Sequence, residues 1–217
     1  QEWVITPVVP ASHQELFFEP GVVVTARKGA FHGRHDALFR ARNASHVTLT
    51  GYGATLRMHK RDYQGEPYAR SGWRHGLDFE SCNNLIVQGL TIRESGGDGI
   101  YLASWGVGYN KDVIIRDCVL DGNHRQGISV VSAENLLIEN CLLRNTSGTG
   151  PSAGIDFEPD EKEERLVNCI VRNCVAENND GTGFTISTTK LTRESKDVSI
   201  LLENCHVRGG KRYGFNV

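Results

Sequence analysis

The sequence predicts an all-β chain of 217 residues, wound as a single-stranded right-handed parallel β-helix, a solenoid of stacked strand-turn coils. Three observations predict it. Five stretches align on one alternating pattern, NLIVQGLTI from Asn84, DVIIRDCVL from Asp112, NLLIENCLL from Asn135, NCIVRNCVA from Asn168 and SILLENCHV from Ser199. A second motif, a glycine followed by apolar, any and apolar residues, recurs after each at His75, Asp98, Gln126, Ala153, Thr182 and Tyr213. Helical 3.6-residue periodicity is absent, and no two-residue Asn-Gly or Asp-Gly hairpin turns separate the strands. A pattern that repeats per coil, with like residues at like positions, is what stacking requires, because no single coil can bury its own apolar face.

Taken in order, residues 1–45 are the least regular and are expected to form an irregular amino-terminal cap and first coil. A weaker copy of the long-strand pattern opens at His46 (HVTLTGYGA), and from there to residue 217 about five to six regular coils are expected in one domain. The marker positions Gly51, Gly89, Asp117, Asn140, Asn173 and Asn204 are 38, 28, 23, 33 and 31 residues apart, so 23 residues is a minimal coil and the longer ones carry loops. Asp117, Asn140, Asn173 and Asn204 are expected to stack at the bend, each bonding backbone groups of its turn. Cys118, Cys141, Cys174 and Cys205 follow them and point inward, level with Leu90 one coil earlier. Sulfurs on parallel Cβ vectors ~4.8 Å apart are poor disulfide partners, so the thiols are expected to be free. The chain ends on Gly214-Phe215-Asn216-Val217, inside a motif strand, which predicts a missing segment or a covering chain at that end.

Composition narrows the function classes. A net charge of −2, from 24 Lys and Arg against 26 Asp and Glu, argues against a nucleic-acid binder, which presents a basic face. No apolar run approaches the ~18 residues of a membrane span. The six cysteines include no C-x-x-C pair and no histidine at finger spacing, so they are read as core residues and not as a zinc site.

Alternation places Asp78 and Glu80, Tyr101 and Ala103, Ser129 and Val131, Asp156 and Glu158 on the outer face of the glycine-led strands, where a solvated groove is expected. The residues before the glycines, His75, Asp98 and Gln126 among them, form its rim. Such faces are polar for solubility alone, so the pattern of the column matters more than any one residue. Asp98 and Asp156 lie two coils apart, roughly 9–10 Å, close to the carboxyl spacing of an inverting glycosidase. They are the candidate acid and base, with His124 and Arg125 on the coil between them as proton-transfer or substrate groups. In β-elimination on a uronate, His124 or Arg125 would instead take the C5 proton. Glu158, with Asp156, is a candidate ligand for Ca²⁺, the one cofactor the pattern suggests. Trp73, Tyr101 and Trp105 are candidate sugar-stacking platforms, and His75, Asp78 and Gln126 candidate substrate contacts.

The stretches SGGDGIY (Ser95–Tyr101), NHRQGIS (Asn123–Ser129) and AGIDFEP (Ala153–Pro159) resemble the pectin-lyase-like β-helix superfamily, in particular bacterial right-handed parallel β-helix repeat proteins. The resemblance covers the chain from about Glu19 onward. It implies a polysaccharide partner and a secreted or periplasmic location. Asp98 matches the first acid of the polygalacturonase motif, whereas Arg125-Gln126 stand where its acid pair would be and Ser152-Ala153 where its histidine would be. The expected function is a glycoside hydrolase or polysaccharide lyase acting in the outer groove, and the alternative is a non-catalytic glycan-binding or adhesion solenoid.

Overall fold

The computed structural model describes all 217 residues as 22 strands, with a single 3₁₀ turn at Asp62–Gln64 and no α-helix. After an edge strand β1 (Glu2–Ile5) the chain makes seven coils of three strands each. The first two are β2 (Gln14–Phe17), β3 (Val23–Ala26), β4 (Phe39–Arg42) and β5 (Ser45–Thr50), β6 (Thr55–Arg57), β7 (Leu77–Glu80). The third and fourth are β8 (Asn83–Gln88), β9 (Thr91–Arg93), β10 (Ile100–Ala103) and β11 (Asn110–Arg116), β12 (Val119–Asp121), β13 (Gln126–Val130). The fifth is β14 (Ala133–Glu139), β15 (Leu142–Arg144), β16 (Ala153–Phe157), and the sixth β17 (Leu166–Arg172), β18 (Val175–Glu177), β19 (Phe184–Ile186). The last is β20 (Ile200–Glu203), β21 (His206–Arg208), β22 (Phe215–Asn216). Like strands stack in parallel into a long-strand sheet (β2 to β20), a bend sheet (β1 and β3 to β21) and a glycine-led sheet (β4 to β22).

Register aligns like with like: Val47, Leu85, Val113, Leu136 and Cys169 stack inward along the long-strand sheet. Their side chains join one continuous core cluster that runs the length of the solenoid. The glycines of the third sheet have a steric cause. A Cβ on Gly76, Gly99, Gly127, Gly154 or Gly183 would sit 2.5–2.7 Å from the carbonyl oxygen of the next glycine in the stack. Only a missing side chain lets adjacent coils close there.

The bend ladder forms in a different way from the one expected. Asn140 donates to Asp117, Asn173 to Asn140 and Asn204 to Asn173, at 3.1–3.4 Å, so the side chains bond each other up the stack instead of the turn backbone. All four hold left-handed φ of 51–56°, a region Asn and Asp enter most readily among residues with a Cβ. A second ladder of the same kind links Asp112, Asn135 and Asn168 at the head of the long strands. The six cysteines are free.

Two further differences from expectation matter for function. Within residues 1–45 the first coil is present and more regular than expected: β1 to β4 pair in parallel with the coils above them. They escape pattern reading because each is four residues long and because Leu38 stands before β4 where later coils have glycine. The outer column of the glycine-led sheet is also not solvated. Asp78, Ser129 and Asp156 are each about 1% exposed and Asp98 is wholly buried, because loops from distant parts of the sequence fold over them. The 58–76 loop is anchored by buried Arg74, which donates to the carbonyls of Phe31, His32 and Ala69 beside the rings of Tyr63 and Tyr68. It meets the 145–152 loop above Arg125, where a side chain at Gly72 would touch Thr149 and Arg125.

Candidate active site

The glycine-led sheet positions the acids. Asp78 on β7, Tyr101 on β10, Ser129 on β13 and Asp156 on β16 are consecutive register partners pointing outward. Asp98 precedes Gly99 and lies at the entry to β10, one coil above His75. Arg125 enters from the coil between Asp98 and Asp156. Its guanidinium donates to Asp98 Oδ2 at 3.4 Å and to Glu158 Oε2 at 3.5 Å, and so ties the two ends of the cluster together. Gln126 donates to Asp156 Oδ2 at 2.8 Å and accepts the Ala153 N–H at 2.9 Å.

Burial governs the charge state. It raises Asp98 to about 7 against the pull of Arg125, which favours the carboxylate. It raises Asp156 to about 8, with the neighbouring Glu158 carboxylate adding to the push. Asp78 rises to about 6 by burial, partly offset by Arg40, whose Nε donates to it at 2.7 Å. Each of the three acids has one oxygen, Oδ1, buried without a hydrogen-bond partner, as does the Ser129 hydroxyl. A row of carboxyls that hold protons near neutrality, with unengaged oxygens on one face, is suited to proton donation.

A cavity of about 350 Å³ opens beside this row. Trp73, His75, Asp78, Tyr101 and Trp105 all line it, so the structure brings together five of the six expected substrate contacts. Half-exposed Trp73 stacks on His35 at 5.3 Å, and half-exposed Trp105 lies under the Arg42 guanidinium, 3.4 Å from its ring centroid. His75 stacks flat on Tyr101 at 4.4 Å. Its Nδ1 accepts the Asp98 backbone N–H at 3.0 Å, so the 3.4 Å approach to the Asp98 carboxyl is no ion pair. Burial, with Arg125 and Arg40 adding to it, holds this imidazole neutral.

Three expected site residues fall elsewhere. Gln126 is fully buried, lies outside the cavity lining and has both ends of its amide engaged, one of them on Asp156. His124 turns away from the acids: its Nε2 meets the Thr149 hydroxyl and N–H at 3.0 and 3.3 Å, and burial with Lys60 lowers it to about 4. Asp156 and Glu158 do not fit a Ca²⁺ site. No third metal-binding side chain joins them, and Arg125 already supplies the positive charge. Arg40 and Arg42, conversely, were not singled out. They pair with Asp78 and Glu80 across β4 and β7, and the alternation of Phe39-Arg40-Ala41-Arg42 was the available signal.

No helix is long and apolar enough to cross a membrane. Among known proteins, the SPβ prophage-derived uncharacterized protein YorA of Bacillus subtilis strain 168 is 26% identical over 159 residues, 68% of this chain and 27% of that protein. The uncharacterized protein YclG of the same strain is 32% identical over 95 residues, 40% of this chain and 16% of that one. The chain thus spans well under a third of either curated relative. A candidate glycosyl hydrolase from Parabacteroides merdae ATCC 43184 shares the fold, with a TM-score of 0.50 and 11% identity over 95% of this chain and 79% of its own. The polygalacturonase of Erwinia carotovora ssp. carotovora superposes at a TM-score of 0.44 with 10% identity, over 98% of this chain and 84% of its own. Residues 68–217, more than two thirds of the chain, match the right-handed β-helix region model, and the protein belongs to that family.

Proposed function

We propose that the chain acts on a polysaccharide bound along the glycine-led sheet, outside the cytoplasm, and that Asp98 and Asp156 form the acid–base pair of a glycoside hydrolase. One observation carries this reading: carboxyls raised to about 7 and about 8, Asp98 at the entry to β10 and Asp156 on the outward column, each with an unengaged oxygen, on the sheet whose Asp78 end lines a cavity walled by tryptophans. Asp156, the more strongly raised, protonates the leaving glycosidic oxygen. Asp98, whose carboxylate Arg125 stabilises, activates water. Trp73, Trp105 and Tyr101 supply apolar faces for sugar rings, and the substrate class is taken from the candidate glycosyl hydrolase whose fold the chain shares. The acids lie beneath Arg125, whose two contacts of 3.4 and 3.5 Å are at the long limit of a hydrogen bond, so substrate entry displaces a loosely held guanidinium.

A glycan-binding solenoid is the second reading, favoured by the half-exposed Trp73 and Trp105 above acids that no solvent reaches. Incubation with plant and algal polysaccharides, with and without a chelator, separates the two when both reducing ends and the ultraviolet absorbance of unsaturated uronate are followed. Hydrolysis yields reducing ends alone, and Asp98→Asn or Asp156→Asn lowers turnover by about 10²-fold or more with the fold intact. New absorbance would replace hydrolysis by elimination and move the base to Arg125. Binding that survives both asparagine variants but is lost with Trp73→Ala or Trp105→Ala, with no turnover on any substrate, would leave the binding solenoid.

A further inference from the structure

A second cleft, of about 570 Å³, lies on the corner between the bend sheet and the glycine-led sheet, under the turn that follows β6. Its lining is almost wholly polar and carries three cations, Lys60, Arg61 and Arg93, against three carboxylates, two of which pair with bases from outside it. Asp62 is matched by Lys28 at 3.4 Å, Glu94 by Arg93 at 3.5 Å and Asp121 by Arg144 at 3.1 Å. Every carboxylate in the cleft therefore has its base. Lys60 and Arg61 have no carboxylate within ion-pair distance; Arg61 is exposed to water, so Lys60 is the cation held partly out of solvent without an ion pair.

Lys60 is the informative one. It is half-buried, and its ammonium donates only to neutral acceptors, the Ser147 hydroxyl at 2.9 Å and the Asn123 carbonyl at 3.2 Å. Burial lowers its pKa, against the pull of the Asp180 and Glu94 carboxylates, neither of which is within ion-pair distance. An ammonium has three donors, so one remains unengaged. Beside it the Arg93 Nε–H is buried with no acceptor. Removing a cation from water is unfavourable unless it is paired, and an anion in the cleft would supply the missing partner.

We propose that this cleft binds an anionic group, a carboxylate or a sulfate or phosphate oxyanion, with Lys60 as its charged centre and Arg61 and the Arg93 Nε–H as further donors. Bidentate or tridentate oxyanions suit such a divided donor set. The site is distinct from the tryptophan cavity. It lies on the other side of the Asn123–Arg125 turn, since Lys60 holds the Asn123 carbonyl while Arg125 reaches the acids. The proposal does not rest on the catalytic reading.

The test is a titration of the full chain, carrying ¹⁵N-lysine, with sodium sulfate at fixed ionic strength, following the Lys60 ammonium. Calorimetry with trigalacturonate and with a neutral glucose trimer runs in parallel. The expected result is a saturable change at Lys60 with a Kd on the order of 1–10 mM, and a rise of its pKa in sulfate relative to chloride. Lys60→Gln weakens sulfate at least about tenfold and Arg61→Gln about two- to threefold. Trigalacturonate that displaces sulfate at Lys60 and binds there much more tightly assigns the anion to a saccharide, and equal affinity at Lys60 assigns it to a free inorganic ion. No saturable change at Lys60 in the unaltered protein overturns the proposal, whether or not the variants fold. So does unchanged sulfate affinity in Lys60→Gln.

Discussion

Burial takes Asp98 and Asp156 out of water, and the ionised form of each loses more solvation than the neutral form, so both keep their protons to higher pH. The same shift links the site to stability. A carboxyl with a raised folded pKa contributes stability that is full below its unfolded value of 3.8 and is lost as pH climbs through the folded value. His75 and His124 run the other way. Their depressed pKa values give stability present above 6.5 and lost as pH falls below it. Above pH 6.5 the histidines are neutral in both states, and Asp98 and Asp156 alone, of these groups, set the slope. Melting temperature should therefore fall between pH 6.5 and 8.5 by roughly 5 °C or more. In Asp156→Asn, an isostere of the neutral acid, that fall should shrink. A melting temperature that is flat or rising over this window would mean that the carboxyls are ionised in the folded protein.

At the scale of the strand and its turn, the long strands, the bend and the glycine-led strand are legible because each is fixed by contacts with its own copy in the next coil. A pattern that repeats in sequence is then the same information as a pattern that stacks in space. The ladder at Asn140 illustrates it. The residue combines a left-handed φ of 55° with hydrogen bonds to Asp117 and Asn173. Asn140→Ala removes the bonds and places a Cβ residue where alanine is strained, and should cost about 1–2 kcal/mol in urea unfolding. Asn140→Gly loses the bonds but not the geometry and should cost less than alanine. Equal losses would attribute the whole effect to the amide bonds, and no loss in either would remove the ladder from the account of stability. The candidate site was only half legible for the converse reason. The column of Asp78, Tyr101, Ser129 and Asp156 follows from the repeat. Its burial and the turning away of His124 depend on loops that do not repeat, and the pairing of Arg40 with Asp78 on a strand, β4, that lacks the glycine marking the other coils.

For the molecule as a whole, stacking makes stability a property of neighbours: a coil with a partner above and below is held on both faces, and a terminal coil on one. The burial pattern shows the gradient. In β14 every inward residue is buried, whereas in β20 and β21 the inward Ile200, Leu202 and Val207 are only partly so and in β22 the inward Phe215 is exposed. In these 217 residues taken alone, opening should therefore begin at the coils with one neighbour, the last among them, and proceed inward, while β7 to β16, which carry the acids and the tryptophan cavity, stay closed. Hydrogen exchange by mass spectrometry reads this directly. Amides of β20, β21 and β22 are expected to exchange first, those of β11 and β14 last, with β10, β13 and β16 near the slow end. Raising the temperature toward unfolding should widen the exchanging region coil by coil before the site is reached, so that whatever the acids do persists while the end frays. Uniform exchange across all seven coils would mean that the solenoid opens as one cooperative unit. The site would then share the stability of the weakest coil, and the separation between a rigid centre and a loose end would fail.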